Sequence, residues 1–437
     1  MRTYKLALGM SVLSLVLLAA CSTEKTESTT QNEPNEKKPA VELQPMKLRV
    51  YDGLFLEDEF QKLVTQAVQQ KYPNITVERI NKKSANPHLD LQEIVASGEK
   101  VDIIFAPIFH YQLLKDIGVI EDMTNPLKQK AVDLSPLNKN LYNYLTSMGE
   151  GKIVALPLYR NIQVNLYNKT LFNKFGVPYP TDNMTYDQVI ELAKKLTATD
   201  AGTPYYGFFP GNPVGQLGQL SQNFLDKTTN ESFVTNENFV KVMRLHKSIF
   251  DIPGNTFVPV AKGQENFYKN HNLAMLIEWI SAVNGQVPDN LDWDMVTMPE
   301  FKDRPGVHSK IDFHAAYVST MAKEKATAAE VIAFLATSET VQRRMAENAK
   351  VPVIDRPDIL QQYGTGKMKG KHIEVLQKTV MAPIPPFSAY ENQWPFTGAP
   401  FINLAYNPAM QGQKDVNTGL RDADEAIKNL FKAEKAK

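Results

Sequence analysis

Val101-Asp102-Ile103-Ile104-Phe105-Ala106 is a near-continuous apolar run of strand length. A strand that is apolar on both faces belongs inside a parallel sheet covered by helices on either side. The residues before it complete the pattern. Leu48-Arg49-Val50-Tyr51 reads as a strand, Glu57 to Lys71 as a helix, Ile75-Thr76-Val77 as a second strand, and a further helix lies near Asp90 to Ala96. The chain therefore opens as βαβαβ, an α/β arrangement. Right-handed crossovers place the strand carboxyl ends on one edge, where open α/β sheets bind ligands. The loops there are Asp52-Gly53-Leu54-Phe55 and Pro107-Ile108-Phe109-His110, which makes Phe55 and His110 candidates by position. A packed loop residue is the competing reading for each.

Ile153 to Asn161 and Val164 to Asn168 are two extended pieces with little between them, a run able to pass from one lobe to another. Thr185-Tyr186-Asp187-Gln188 is a capping box, and Val189, Leu192, Ala193 and Leu196 give the stripe of the helix it starts. From Gly202 to Gly218 the chain is rich in Gly and Pro and reads as an irregular loop carrying Phe208 and Phe209. Helical patterns follow at Glu237 to Ile249, Ala326 to Ala336, Glu339 to Ala346 and Asp422 to Phe431. No fixed-period repeat is visible. Beyond the tether described next, the chain is longer than one hydrophobic core spans, so two lobes are expected.

The first residues indicate a compartment. Arg2 and Lys5 precede an apolar run from Leu6 to Leu18, closed by Leu18-Ala19-Ala20-Cys21. The run is too short to span a bilayer and reads as a signal peptide. Small residues ending on cysteine resemble the bacterial lipobox, so residues 1–21 are expected to be the leader and Cys21 the lipid-attachment site. Two acyl chains anchor stably where one does not. Cys21 is the only cysteine, so no internal disulfide is available. Residues 22–45 are too polar to bury a core and read as a disordered tether reaching about 25 Å. Lys plus Arg equal Asp plus Glu at 48 each, which leaves no strong basic field for nucleic acid.

Four segments together carry a family resemblance: Val101 to Thr124, with Leu113-Leu114-Lys115-Asp116-Ile117-Gly118-Val119-Ile120-Glu121-Asp122; Ala155 to Leu196, with Leu166-Tyr167-Asn168-Lys169; Asn272 to Trp279; and Val331 to Val351. In this order and spacing they resemble the family 1 extracellular solute-binding proteins, the maltose-binding-protein-like group. The resemblance implies a two-lobed, periplasmic-binding-protein-like α/β fold, hinged, closing over a small-molecule solute between the lobes. The expected first lobe is 46–156 plus about 313–352, and the second 157–312 plus 353–437. Also implied are a membrane-bound monomer, the permease subunits and ATPase of an ABC importer, and no enzymatic activity, cofactor or metal.

A sugar presents hydroxyls at its edge and C–H groups on its faces, so its site combines aromatic platforms with planar hydrogen-bonding groups. Trp279 matches the family segment whose tryptophan faces the cleft, with Glu278 beside it; the competing reading is a core tryptophan at a helix start. Tyr159, Arg160 and Asn161 lie on the expected hinge strand, where Arg160 could equally be a structural ion pair. Trp394, with Tyr390 and Phe396, falls in the tail region that supplies a cleft aromatic in the family, although Pro395 and Pro400 depart from its helical pattern. Phe209 completes the candidates. Trp293 alternates with Leu291 and Met295 and reads as structural.

Hydrolase, zinc-protease and phosphate-loop motifs are absent, and Gly364 to Lys369 stops one glycine short of a dinucleotide fingerprint. His308 and His314 are the nearest thing to a metal pair, without supporting spacing. A glycosidase using two carboxylates is the alternative enzyme reading. A solute-binding subunit of a sensory system is the other alternative.

Overall fold

The strands, in chain order, are β1 (Met46–Asp52), β2 (Ile75–Asn81), β3 (Ile103–Pro107), β4 (Leu156–Arg160), β5 (Gln163–Asn168), β6 (Ala198–Asp200), β7 (Thr203–Phe209), β8 (Leu273–Trp279), β9 (Trp293–Thr297), β10 (Ser309–Lys310), β11 (Phe313–Val318) and β12 (Met381–Ala382). They come from a computed structural model that describes residues 44–83, 87–364, 368–383, 385, 388, 390–391 and 398–436. Cys21, the leader, the tether up to residue 43, Trp394 and Phe396 lie outside the described residues. Pro45–Lys437 forms one compact unit.

Two five-stranded sheets organise that unit, ordered β2-β1-β3-β11-β4 and β6-β7-β8-β5-β9. In the first, β1 runs parallel to β2 and β3, and β11 is antiparallel to both β3 and β4. In the second, β8 runs parallel to β7, and β5 is antiparallel to β8 and β9. Apolar runs occupy the middle of each sheet. Ile103, Ile104, Phe105 and Ala106 are fully buried in β3, and every residue of β5 is buried. Helices on both faces bury such strands completely, which is why their sequences show no alternation.

The expected helices form, each with longer limits than its pattern suggests: Glu237–Phe250, Lys325–Thr337, Glu339–Glu347 and Val416–Lys435. The capping box is present at the start of helix Tyr186–Leu196. Thr185 Oγ1 accepts from the Gln188 N–H at 3.3 Å, and Gln188 Oε1 accepts from the Thr185 N–H at 2.8 Å. Thr185→Ala is expected to lower stability by about 1 kcal/mol in urea unfolding, the usual worth of an N-cap. No helix among the described residues is long and apolar enough to cross a membrane.

The stretch from Gly202 to Gly218 is not an irregular loop. It holds β7 and the helix Pro213–Gln219. Its glycines serve close packing. A Cβ on Gly207 would lie 2.2 Å from the Ala193 carbonyl oxygen, so only glycine lets β7 approach helix Tyr186–Leu196 this closely.

The chain leaves the first sheet after β4 and re-enters it at β11. All of β4 pairs with β11 in the first sheet, whereas a boundary after Leu156 splits that strand. The first change falls at Asn161-Ile162, between β4 and β5. The second falls at Ile311-Asp312, between β10 and β11. The helix Pro357–Leu360 still packs on helix Glu339–Glu347, tied by an Arg343–Asp358 ion pair at 2.8 Å, so the chain stays with the first sheet past residue 352.

Candidate functional site

Both sheet changes bring strand ends together. β1, β3 and β4 finish at one edge of the first sheet, with Phe55 and His110 in the loops that follow β1 and β3 and Arg160 as the last residue of β4. β7 and β8 finish at the corresponding edge of the second sheet, where Gln163, the first residue of β5, lies opposite Trp279.

The first-sheet aromatics are packed against one another. Tyr159 stacks on His314 with centroids 4.4 Å apart and planes 11° apart, and its ring meets Phe55 at 5.6 Å. Phe55 in turn meets Phe105 edge-on at 5.9 Å. Asp52 fixes the Phe55 loop. Its Oδ1 accepts from the Leu54 and Phe55 N–H groups at 2.9 and 3.1 Å, and its Oδ2 pairs with Arg79 at 2.7 Å. Burial pushes the Asp52 carboxyl and the Tyr159 phenol upward and depresses His314 to about 3, so this histidine is neutral. His110 lies against Phe109 at 4.2 Å.

At the sheet change, Asn161 uses its backbone N–H and its side-chain amide internally. Its N–H donates to the Asp312 carbonyl at 3.0 Å and its Nδ2 to Asp312 Oδ2 at 3.1 Å, while its Oδ1 accepts from the Ser281 N–H at 3.4 Å. It therefore links both crossing segments to the start of helix Ile280–Gln286. Arg160 is different. Its Nε donates to the Pro352 carbonyl at 2.7 Å, and its Nη atoms have no acceptor among the described residues. Burial lowers its pKa to about 10.

On the second sheet, Trp279 is partly exposed at the end of the otherwise buried β8. Glu278 holds it from behind: Oε1 accepts from the Trp279 N–H at 2.8 Å and Oε2 from Gln264 Nε2 at 2.6 Å. Desolvation raises the Glu278 pKa. Both carboxylate oxygens are thus engaged, one of them by the Trp279 backbone. Lys310 lays its ammonium 5.6 Å from the indole centroid.

The structure thus brings Arg160, Asn161, Glu278 and Trp279 together around the sheet changes, with Phe55 and Tyr159 packed against one another in the first sheet. Two candidates sit elsewhere. Phe209 is core: its ring meets Phe250 at 6.0 Å, and a Cβ on Gly263 would come within 2.8 Å of it. Tyr390 packs edge-on against Phe431 of the last helix at 5.1 Å, in a groove it shares with Ile427. His308 and His314 take separate partners, Asn183 and Tyr159. Trp293 is buried under Lys371, as its alternation suggests.

Sequence reasoning overlooked Lys310, Asp312 and Gln163, and weighed His314 only as half of a metal pair. Gln163 left a signal, a polar residue at the start of a strand buried on both faces. Its Oε1 is buried without a hydrogen-bond partner among the described residues. Lys310 left none, because its place depends on the parallel pairing of β10 with β12 and on the gap over Gly218.

The sequence matches the bacterial extracellular solute-binding proteins over residues 56–342. The fold is shared with an ABC substrate-binding protein of Listeria monocytogenes in complex with cycloalternan, at TM-score 0.70 and 20% identity over 89% of this chain and 99% of that one. The cyclic alpha-maltosyl-1,6-maltose binding protein of Arthrobacter globiformis is similar at TM-score 0.70 and 17% identity, covering 89% and 100%. A sugar transporter of Rhizobium etli in an open conformation is similar at TM-score 0.68 and 21% identity, covering 87% and 99%. Those proteins share its two-sheet α/β fold, and by its sequence match the chain belongs to the bacterial extracellular solute-binding protein family.

Proposed function

We propose that this protein captures a saccharide between two lobes that close over it, and delivers it to the permease and ATPase of an ABC importer. The first lobe is built on the first sheet, from β1 through β4 with β11 and the helices up to about residue 360; the second is built on the other sheet and the C-terminal helices. The observation that carries the reading is a partly exposed Trp279 at the end of β8 together with Arg160 at the end of β4, whose guanidinium tips have no acceptor among the described residues. The indole offers a platform for sugar C–H groups, and the guanidinium offers donors for hydroxyls. Saccharides bound by the Listeria and Arthrobacter proteins support the ligand class. The leader and Cys21 support lipid anchoring on the extracytoplasmic face, and the protein acts there as a monomer.

A thermal-shift screen of the chain from Ser22 onward against mono- and oligosaccharides, polyols and peptides tests this, since a ligand that binds only the native state raises stability by RT ln(1 + [L]/Kd). A saturable shift with a saccharide and no turnover is expected. A response confined to peptides overturns the ligand class, and product accumulating from an oligosaccharide makes the protein an enzyme. In cells, Cys21→Ser is expected to move the protein from the membrane to the soluble fraction.

A further inference from the structure

We infer that the solute is an acidic saccharide whose carboxylate is taken between Arg160 and Lys310. This rests on the saccharide reading above and narrows it.

Each cation is held in place while its charge remains unanswered. Arg160 is anchored along its length: β4 pairs it with Phe313, its N–H donates to the Val351 carbonyl at 2.8 Å, and its Nε donates to Pro352. No carboxylate among the described residues forms an ion pair with it. The acid whose field it feels is Asp355, and that carboxylate is exposed and accepts two bonds from Asn138 Nδ2, at 2.8 and 2.9 Å. Lys310 is set by packing. Its stem crosses Gly218 so closely that a Cβ there would fall 2.6 Å from its Cδ, and its ammonium is delivered to the face of Trp279. No ion pair involves it among the described residues.

The acids nearby are already engaged. Glu278 is held by Gln264 and the Trp279 N–H, Asp312 by Asn161, Asp52 by Arg79, and Glu59 by Lys350 at 2.8 Å. Asp312 feels the charge of Lys310, but it is buried and turned to Asn161. What is left over at the passage is positive. A series of contacts links the two cations. Lys310 lies over Trp279, Trp279 pairs with Gln163, and only Asn161 and Ile162 separate Gln163 from Arg160.

A partly desolvated cation without a counter-charge is costly, and a bound anion relieves that cost. A neutral sugar satisfies the Nη donors with hydroxyls and still leaves both charges unanswered. It also competes with Lys310 for the indole face. A uronate resolves both difficulties. Its carboxylate matches the paired Nη donors of Arg160, and its charge draws the Lys310 ammonium off the ring face that the sugar then occupies.

Calorimetric titration of the full mature chain with short oligomers of galacturonate, glucuronate and mannuronate tests the inference. Each is compared with its methyl ester, which keeps the ring and removes the charge, and with neutral and sulfated disaccharides. At least one uronate is expected to bind about tenfold or more tightly than its ester, with affinity falling as salt rises. Arg160→Gln and Lys310→Gln are each expected to erase that preference. If Arg160→Gln does not fold, Lys310→Gln alone carries the comparison. Equal binding of acid and ester, or binding of neutral disaccharides only, overturns the acidic ligand and leaves the saccharide reading standing. Preference for the sulfated sugar over every uronate overturns the carboxylate assignment. A response to no saccharide at all overturns both.

Discussion

Trp279→Ala is expected to weaken saccharide binding by about 1–3 kcal/mol, a loss of roughly five- to 150-fold in Kd. Among the described residues, the indole keeps part of its surface open, while Phe55 and Tyr159 are closed off by mutual packing. Removing it takes away both the apolar area a sugar ring covers and the surface that holds the Lys310 ammonium. The fold should tolerate the change. The backbone here is fixed by the β5–β8 ladder and by Glu278 accepting from the residue-279 N–H, neither of which uses the indole. Calorimetry with the ligand found by screening, alongside the unliganded melting temperature, checks both halves. Unchanged affinity with unchanged stability removes Trp279 from the site. Trp279→Phe should recover part of the loss, because a smaller ring still presents a face.

Much of this arrangement was legible in the residues because it rests on local pattern. The apolar run before Pro107, the capping box at Thr185 and the alternation around Trp293 each reflect a single element meeting its own surroundings. The pair of extended pieces around Asn161 was legible as a passage between lobes for the same reason. What was illegible depends on two distant segments meeting. Gly207, Gly215 and Gly218 look like loop residues, yet Cβ atoms on the last two would strike Gln163 and Lys310, so these glycines make room for the site. Composition cannot tell a glycine that loosens the chain from one that lets two elements touch. Phe209 was misplaced by the same ambiguity. Tyr390 packs on Phe431, supplied by a helix whose packing no short-range pattern reports.

Asp312→Asn is expected to flatten the pH dependence of stability between about pH 4 and pH 6. The carboxyl sits in the second passage between the sheets. It is buried and receives a hydrogen bond from Asn161, and that burial pushes its pKa from 3.8 up to about 6. Below pH 4 it is protonated in both folded and unfolded chains and has no influence. As pH rises through this window the unfolded chain ionises first, so stability is lost until the folded group ionises too, near pH 6. Each tenfold change in proton affinity is worth about 1.4 kcal/mol, so the loss across the window amounts to about 3 kcal/mol. The difference in unfolding free energy between variant and parent, followed by urea titration at several pH values, should therefore grow in the variant's favour by about that amount and then level off. A constant difference across the window would show that Asp312 titrates normally. The same variant bears on the ligand. The change removes a negative charge that interacts with Lys310, so the excess of positive charge at the passage increases, and uronate binding at neutral pH should tighten in Asp312→Asn while binding of the corresponding methyl ester stays the same.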